Sequence, residues 1–193
     1  MIEIVTPLNR HMYGPLLEDM HRMRYSVVVE RWGWEVPGAQ PGYDKDAFDT
    51  PDTVYVLHLD KSRTVVQGCC RLNSTLRPNM LSELYHEACD LRPAPCNDAI
   101  WESSRFVISP NLTSRHEYFE IMWRLGVGMN EYGLAAGITH IAWYTDPAFY
   151  NTINSVMEVE PIGRPKFNEK DQETYIPAIA RMDETSLAAM RQN

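Results

Sequence analysis

The sequence lacks several features that mark common classes of protein. It has no run of about 18 apolar residues, so no segment is long enough to cross a bilayer. The first residues lack a basic flank followed by a long apolar stretch, so we expect no export signal and a cytoplasmic location. Internal repeats, low-complexity tracts and long linkers are also missing, which favours one domain over residues 1–193.

The sequence also has few cysteines and no excess of basic residues. The four cysteines form no C-x-x-C pair, and no histidine stands at zinc-ligand spacing from them. We therefore expect reduced thiols, most of them in the core, with no metal site and no disulfide framework. The net charge of −8 argues against a broad nucleic-acid interface, which needs a basic face.

What is present indicates a globular α/β domain. An apolar fraction of 44% supplies a sizeable core. Apolar spacing predicts, in chain order, a helix over residues 10–31, an irregular polar loop over 37–51, a hairpin over 53–72 and a charged strand over 100–109. A long helix over 115–136, a buried strand over 138–144 and a short helix over 147–155 follow. Two more strands over 156–162 and 174–180 and a last helix over 184–191 complete the chain. This order predicts a mixed central sheet flanked by helices.

Two ionisable residues interrupt the apolar strand at 100–109. Glu102 and Arg105 stand three residues apart, so they point to opposite faces unless a bulge intervenes. Burying a charge in a central strand costs free energy of desolvation unless the charge is paired or binds a substrate. The pair is therefore either structural or part of a polar substrate cleft.

Other charged and aromatic residues have two interpretations each. The loop acids Asp44, Asp46 and Asp49 form a solvated turn or hold a cation, and they lack the further ligands of a calcium loop. Arg71 lies in an apolar strand, where a carboxylate partner is expected. The tryptophans at positions 32 and 34 pack in the core, or they stack on a base or a cation.

The order and spacing of these residues resemble the LuxI-type acyl-homoserine lactone synthases. The matching series is Arg24-x-x-Val27, Trp34, Asp46-x-x-Asp49, Gly68-Cys69-Cys70-Arg71-Leu72 and Trp101-Glu102-x-Ser104-Arg105-Phe106. It covers about residues 1–110, and the likeness is looser beyond. The resemblance implies an acetyltransferase-like, three-layer αβα fold and quorum-sensing signal synthesis. The substrates would be S-adenosylmethionine and an acyl thioester on acyl carrier protein or coenzyme A, and methylthioadenosine would be released, with no cofactor or metal.

The same resemblance implies roles for individual residues. Glu102 would act as the base for the amine, because a protonated amine must lose a proton before it attacks. Arg71 and Arg105 would hold the substrate carboxylate or Glu102 itself. Residues 1–52 would form a mobile lid over S-adenosylmethionine, built from Arg24, Val28, Trp34, Asp46 and Asp49, with Phe106 beside them. Asp46 and Asp49 would contact the sulfonium, or pair with arginines to shape the lid.

The chain departs from the family pattern at three places. Val28 replaces a common phenylalanine, and Trp32 could compensate for it. Ala142 replaces a threonine associated with 3-oxo chains, which predicts an acyl chain that is not 3-oxo. The helix after Pro147 carries no lysine or arginine for an acidic carrier protein, so acyl-CoA and acyl carrier protein both stay open as donors. The acyl-chain pocket is predicted at Ala142, Trp143, Met122 and Leu125.

Two other functions fit the sequence less well. One is a different acetyltransferase-like N-acyltransferase that uses acyl-CoA. Such enzymes usually carry a glycine-rich pyrophosphate loop, and residues 109–114 contain no glycine. The other is a non-catalytic ligand-binding relative, which the retained charges at positions 24, 71, 102 and 105 disfavour.

Overall fold

The structure is a computed structural model that describes residues 1–112, 114–170 and 172–193. Thr113, in the glycine-free segment before the long helix, lies outside the described residues. The strands are β1 Ile2–Val5, β2 Val54–Leu59, β3 Val66–Ser74, β4 Ile100–Ile108, β5 His140–Thr145, β6 Val159–Pro161, β7 Lys166–Asn168 and β8 Glu173–Arg181. The α-helices are α1 Gly14–Tyr25, α2 Met80–Glu83, α3 Arg115–Ala135, α4 Pro147–Asn154 and α5 Glu184–Met190.

The chain divides into two compact units. The first comprises residues 1–72 and 105–129, and the second comprises residues 73–104 and 130–193. Strand β4 and helix α3 each contribute residues to both units. The expectation of one domain with a mobile lid at residues 1–52 stays a prediction.

In the first unit, β1, β2 and β3 form an antiparallel sheet. The predicted hairpin is confirmed, with a register shift between His58 and Leu59. The C-terminal half of β4 lies beside β3, where the Ser109 amide donates to the Gln67 carbonyl at 2.8 Å. These strands carry the arginines at positions 71 and 105.

Gly68 in β3 allows the first half of α3 to approach the sheet closely. A Cβ atom at this position would lie 2.9 Å from Ile121 Cγ2 and 3.1 Å from Leu125 Cδ1, which is tighter than van der Waals packing allows. The glycine that opens the 68–72 motif therefore has a packing role. It brings the strand that carries Arg71 against the helix.

The second unit combines parallel and antiparallel strands. The N-terminal half of β4 pairs with β5 in parallel, β5 pairs with β8 antiparallel, and β6 and β7 each pair with β8. With the helices that flank it, this mixed sheet confirms the predicted architecture. Strand β7, only three residues long, was not predicted.

Local capping explains where several helices begin and end. Asp146 and Asp183 cap α4 and α5, and their carboxylates accept backbone N–H groups within the first turn, as N-cap residues do. Gly137 follows α3 with φ +75, a conformation that suits glycine at a helix C-terminus. Helix α1 continues as a π-helix over Ser26–Arg31, at the predicted β-branched run.

Within the described residues, none of the helices combines the length and apolar character needed to cross a membrane.

Candidate active site

Three arginines and three aspartates of the first unit form a closed ring of ion pairs, which we call the Arg–Asp ring. The arginines come from regular elements, with Arg24 on α1, Arg71 on β3 and Arg105 on β4. The acids all lie on the irregular loop between the π-helix and β2, at positions 44, 46 and 49. The ring therefore ties this loop to a helix and to two strands.

Charges alternate around the ring, so each arginine contacts two aspartates. Arg24 Nε and Nη2 donate to the two oxygens of Asp44, both at 3.1 Å, and its Nη1 and Nη2 donate to Asp49 at 2.7 and 3.0 Å. Arg71 Nη1 lies 2.5 Å from Asp46 Oδ1 and 3.1 Å from Asp49 Oδ2. Arg105 donates through Nε to Asp44 at 2.9 Å and through Nη2 to Asp46 at 2.8 Å.

All six side chains are largely removed from solvent. The side chains of Arg24, Arg71, Asp44 and Asp49 have no exposed area, and those of Asp46 and Arg105 retain 7% and 5%. Burial alone raises the pKa of Asp44, but Arg24 and Arg105 outweigh it and hold that pKa below its ordinary value. Burial likewise opposes ionisation of Asp49, and Arg71 and Arg24 still lower its pKa. With three arginines and three aspartates, the ring has a formal charge of zero.

Backbone hydrogen bonds shape the loop around the acids. The Asp46 amide donates to Asp49 Oδ2 at 2.9 Å, and the Phe48 amide donates to Asp46 Oδ1 at 2.8 Å. The Asp44 amide donates to the His21 carbonyl, while the Asp44 carbonyl lies 2.7 Å from His21 Nδ1. Both the backbone and the side chain of Asp44 are therefore engaged. This residue anchors the loop to α1.

The sequence did not single out two side chains that support the ring. Tyr55 on β2 donates its hydroxyl to Asp49 at 2.9 Å, and burial, followed by the charge of Asp49, raises the pKa of Tyr55. His21 is buried beside Arg24, and burial is the main cause that lowers its pKa. Helical spacing from Arg24 back to His21 was the available signal, because residues three apart share a helix face.

Arg105 has a backbone conformation that is rare for a residue with a side chain. Its φ is +51, in the left-handed region, although it lies within β4. Such a conformation costs of order 1–3 kcal/mol and persists only where surrounding contacts enforce it. The two ion pairs of Arg105 provide that enforcement. The sequence left open whether a bulge lies between Glu102 and Arg105, and the positive φ of Arg105 is an irregularity at this place.

Glu102 lies in the second unit and is 1% exposed. Its Oε2 accepts a hydrogen bond from the Leu81 amide, in the first turn of α2, at 2.6 Å. Ala142 is its direct neighbour on the parallel strand β5, so both side chains project from the same face of the sheet. Positions 102 and 142 are therefore direct cross-strand neighbours on that face.

The four residues of the predicted acyl-chain pocket are all buried, in two separate units. Met122 and Leu125 lie on α3 in the first unit, and Ala142 and Trp143 lie on β5 in the second. Adjacent residues of a strand point to opposite faces, so Trp143 projects away from the face that Ala142 shares with Glu102. Their common pocket stays a prediction.

The remaining predicted residues lie in the first unit. Val28 is fully buried in a core with Val27 and Tyr55, and Trp34 packs against that core while partly buried. Phe106 follows Arg105 in β4 and is partly buried. Among the described residues, no group of three or more histidine, cysteine, aspartate or glutamate side chains is placed to hold a metal ion.

Comparison with known proteins gives one consistent family. The model of the autoinducer synthase family matches residues 9–189. The isovaleryl-homoserine lactone synthase of Bradyrhizobium diazoefficiens (USDA 110) is 30% identical over 174 residues, which cover 88% of this chain and 75% of that protein.

Solved structures agree with this assignment. The CoA-dependent acyl-homoserine lactone synthase BjaI, solved with SAM and isopentyl-CoA, is similar with a TM-score of 0.88 and 27% identity, covering 100% of this chain and 88% of that one. A putative N-acetyltransferase from Lactobacillus plantarum shares the fold at a TM-score of 0.59 and 14% identity, covering 94% and 99%. The acetyltransferase-like fold is thereby confirmed. The chain belongs to the autoinducer synthase family, as an acyl-homoserine lactone synthase that acylates S-adenosylmethionine from a thioester donor.

Proposed function

We propose that this enzyme makes an N-acyl-homoserine lactone whose acyl chain carries no 3-oxo group. We further propose that it takes a short, branched acyl group from acyl-CoA. The observation that carries the first proposal is the direct strand pairing of Glu102 with Ala142. A methyl group beside the proposed base can neither donate nor accept a hydrogen bond, so a 3-oxo oxygen at this place would be desolvated without compensation.

The surroundings of Ala142 favour an apolar acyl group. Its buried neighbours in the hydrophobic cluster are Leu81, Cys89 and Ile162, and the only side-chain oxygens among the described residues of the cluster are the hydroxyls of the partly buried Tyr85 and Tyr144 that pack against it. Burial of apolar surface is worth about 25 cal/mol per Å², so a hydrocarbon chain gains affinity here while an oxygenated one loses hydration. The Bradyrhizobium relative is named for the isovaleryl group, which has this character.

Glu102 is the proposed base of the first chemical step. The amine of S-adenosylmethionine loses a proton to Glu102 and attacks the thioester carbonyl, and the C–S bond then breaks to release the thiol. The Leu81 amide holds one carboxylate oxygen, which orients the group for this transfer. The substrate carboxylate afterwards attacks the γ-carbon and displaces neutral methylthioadenosine, which closes the lactone. Neither step moves electrons to or from a cofactor, so none is proposed, and no metal is needed.

The Arg–Asp ring is proposed to position the loop rather than to bind the substrate carboxylate. Arg71 and Arg105 each contact two aspartates, and the ring is neutral as it stands. A substrate carboxylate would have to displace one of these acids from a buried pair, which is costly. This proposal replaces the role that sequence resemblance implies for the two arginines. Their contribution to catalysis would then be indirect.

Acyl-CoA is the proposed donor on grounds of charge. Helix α4, Pro147–Asn154, carries no basic residue, and the chain has a net charge of −8. An acidic carrier protein would gain little from long-range attraction to such a surface. The similar synthase BjaI is CoA-dependent, which supports the same choice.

Product analysis tests these proposals together. The purified enzyme is incubated with S-adenosylmethionine and one of three donors: isovaleryl-CoA, isovaleryl-carrier protein or a 3-oxoacyl-CoA of similar length. Mass spectrometry identifies the lactone, and methylthioadenosine release gives the rate. We expect the highest kcat/KM with isovaleryl-CoA. Dominant 3-oxo product would contradict the chain assignment, and a clear preference for the carrier protein would contradict the donor assignment.

A further inference from the structure

Glu102 is hydrogen-bonded to a very short helix of the second unit. Glu102 is 1% exposed, and a buried carboxylate resists ionisation unless hydrogen bonds favour its charged form. The Leu81 amide makes such a bond to Glu102 Oε2 at 2.6 Å. Helix α2, which carries Leu81, has only four residues, too few to form a stable helix without outside support. The position of the Leu81 amide therefore depends on what holds α2 in place.

Asn79 fixes the first turn of this helix with its side chain and its backbone. Its Oδ1 accepts the Ser82 amide at 3.1 Å, and its own amide donates to Ser82 Oγ at 3.1 Å, which closes a capping box. Its Nδ2 donates to the Arg77 carbonyl at 2.9 Å, and its carbonyl accepts the Glu83 amide at 3.0 Å. Every polar group of Asn79 thus contributes to the geometry of the turn that contains Leu81.

Burial and charge distinguish Asn79 from the residues that cap α4 and α5. Asn79 is 1% exposed and neutral, whereas Asp146 and Asp183 are acidic and partly exposed. Asparagine, aspartate and serine serve about equally well at an N-cap, so the capping requirement alone does not select asparagine. An aspartate at position 79 would bring a buried negative charge within two residues of the amide that contacts Glu102, and it would disfavour ionisation of Glu102. A neutral cap is therefore suited to a neighbouring base.

We propose that Asn79 is a positioning residue for the acylation step, which acts on Glu102 through the Leu81 amide. The inference rests on the proposed function, in which Glu102 is the base. When α2 is capped, the Leu81 amide holds one carboxylate oxygen in place and favours the charged form, which accepts the proton of the amine. When the cap is removed, the first turn of α2 loosens, and Glu102 loses both its orientation and part of the support for its charge. This role requires no contact between Asn79 and a substrate.

The test compares the loss of this cap with the loss of another cap in the same unit. Asn79→Ala removes the capping oxygen, and Asn79→Ser keeps an oxygen that can accept the Ser82 amide. Asp183→Ala is the matched control, because Asp183 accepts the Ser186 amide at 2.8 Å at the start of α5. Both alanine variants should lower Tm by about 2–4 °C, which thermal unfolding checks.

The readout is kcat as a function of pH, at saturating S-adenosylmethionine and isovaleryl-CoA, because kcat reports ionisations in the enzyme–substrate complex. The ionisable groups of the hydrophobic cluster that contains Leu81 and Ala142 are Cys89, Tyr85 and Tyr144. These groups are uncharged in mildly acidic and neutral solution, so they do not determine the acidic side of the profile.

We expect Asn79→Ala to lower kcat about 10- to 100-fold with little change in KM, because a displacement of about 1 Å at a catalytic group has an effect of this size. The pH at which kcat falls to half on the acidic side should rise by about 1, because the charged carboxylate loses a hydrogen bond. Asn79→Ser and Asp183→Ala should keep kcat and the pH profile close to those of the wild type. A loss in Asn79→Ala no larger than in the control, or a loss without movement of the acidic side, would overturn the proposal.

A double-mutant cycle with Glu102→Gln tests whether Asn79 acts through Glu102. Adding Asn79→Ala to Glu102→Gln should cause no further loss of kcat, and a full additional loss would overturn the proposal. Undiminished turnover of Glu102→Gln alone would instead count against the proposed function. If Asn79→Ala fails to fold, Ser82→Ala takes its place in both experiments, because it removes the hydroxyl that accepts the Asn79 amide.

Discussion

Asp44→Asn tests whether the Arg–Asp ring holds the loop in place. The substitution keeps the size of the side chain and removes one negative charge from a carboxylate that has no exposed area. Arg24 and Arg105 would each keep one acidic partner, and the buried ring would gain a formal charge of +1. Removing one partner of a buried ion pair typically costs about 3–5 kcal/mol. For a chain of this size that lowers Tm by about 6–20 °C.

Equilibrium urea unfolding and thermal melts measure this loss. The control is Asp90→Asn, because Asp90 pairs with Arg164 at 3.3 Å on the surface, with 30% and 70% of the two side chains exposed. Exposed pairs contribute about 0–1 kcal/mol, so the control should remain close to wild type. A loss for Asp44→Asn no larger than that of the control would refute the claim that the ring anchors the loop.

The pH dependence of the same comparison follows from the sign of the pKa shifts. The pKa values of Asp44 and Asp49 are lowered from an ordinary value of 3.8, so both carboxyls are charged in the folded protein throughout neutral and mildly acidic solution. Their stabilisation is fully present above that value and is lost as pH falls through the folded pKa values. The gap between wild type and Asp44→Asn should therefore stay constant from about pH 8 to about pH 5.

Three further predictions concern separate features. Burial lowers the pKa of His58 to about 4 from 6.5, so the unfolded chain takes up a proton first and the free energy of unfolding falls as pH drops from 6.5 towards 4. In urea unfolding, His58→Asn should show a weaker dependence of this free energy on pH over the same window, and an unchanged dependence would refute the assignment. Tyr55→Phe removes the hydroxyl that donates to Asp49 and should cost about 1.5–3 kcal/mol in urea unfolding, whereas a loss under about 0.5 kcal/mol would show that this contact contributes little. Ala142→Thr places a hydroxyl at the strand position paired with Glu102 and should raise the share of 3-oxo product in mass spectrometry. Ala142→Val, whose side chain has the shape of threonine without the hydroxyl, should not raise it, and the same share in both variants would contradict the hydrogen-bond argument.

Much of the fold follows from patterns that the sequence displays. Apolar spacing, an aspartate cap before α5 and a glycine after α3 predict those elements because each reflects a local backbone requirement. Strand β7 escaped prediction because three residues are too few for a period of two to stand out. The π-helix after α1 could not be predicted from the sequence, although the β-branched run at 27–29 indicated a weakened last turn at this place.

The pairing of the six charged residues in the Arg–Asp ring could not be predicted from the sequence. Each of its charged residues was visible as a candidate, yet each alone is most often a solvated or paired residue. Asp44 was the hardest to interpret, because its role depends on Arg105, 61 residues away along the chain. The positive φ of Arg105 is a tertiary effect, imposed by contacts rather than by its own preference.

Stoichiometric product release with and without Glu102 tests the central claim most directly. The wild type and Glu102→Gln are given S-adenosylmethionine and isovaleryl-CoA, and free CoA thiol and methylthioadenosine are measured together. We expect the wild type to release both products in equal amounts. For Glu102→Gln we expect the rate to fall about 10²–10⁴-fold, the usual contribution of a general base. Undiminished turnover by Glu102→Gln, or methylthioadenosine released without thiol, would contradict it.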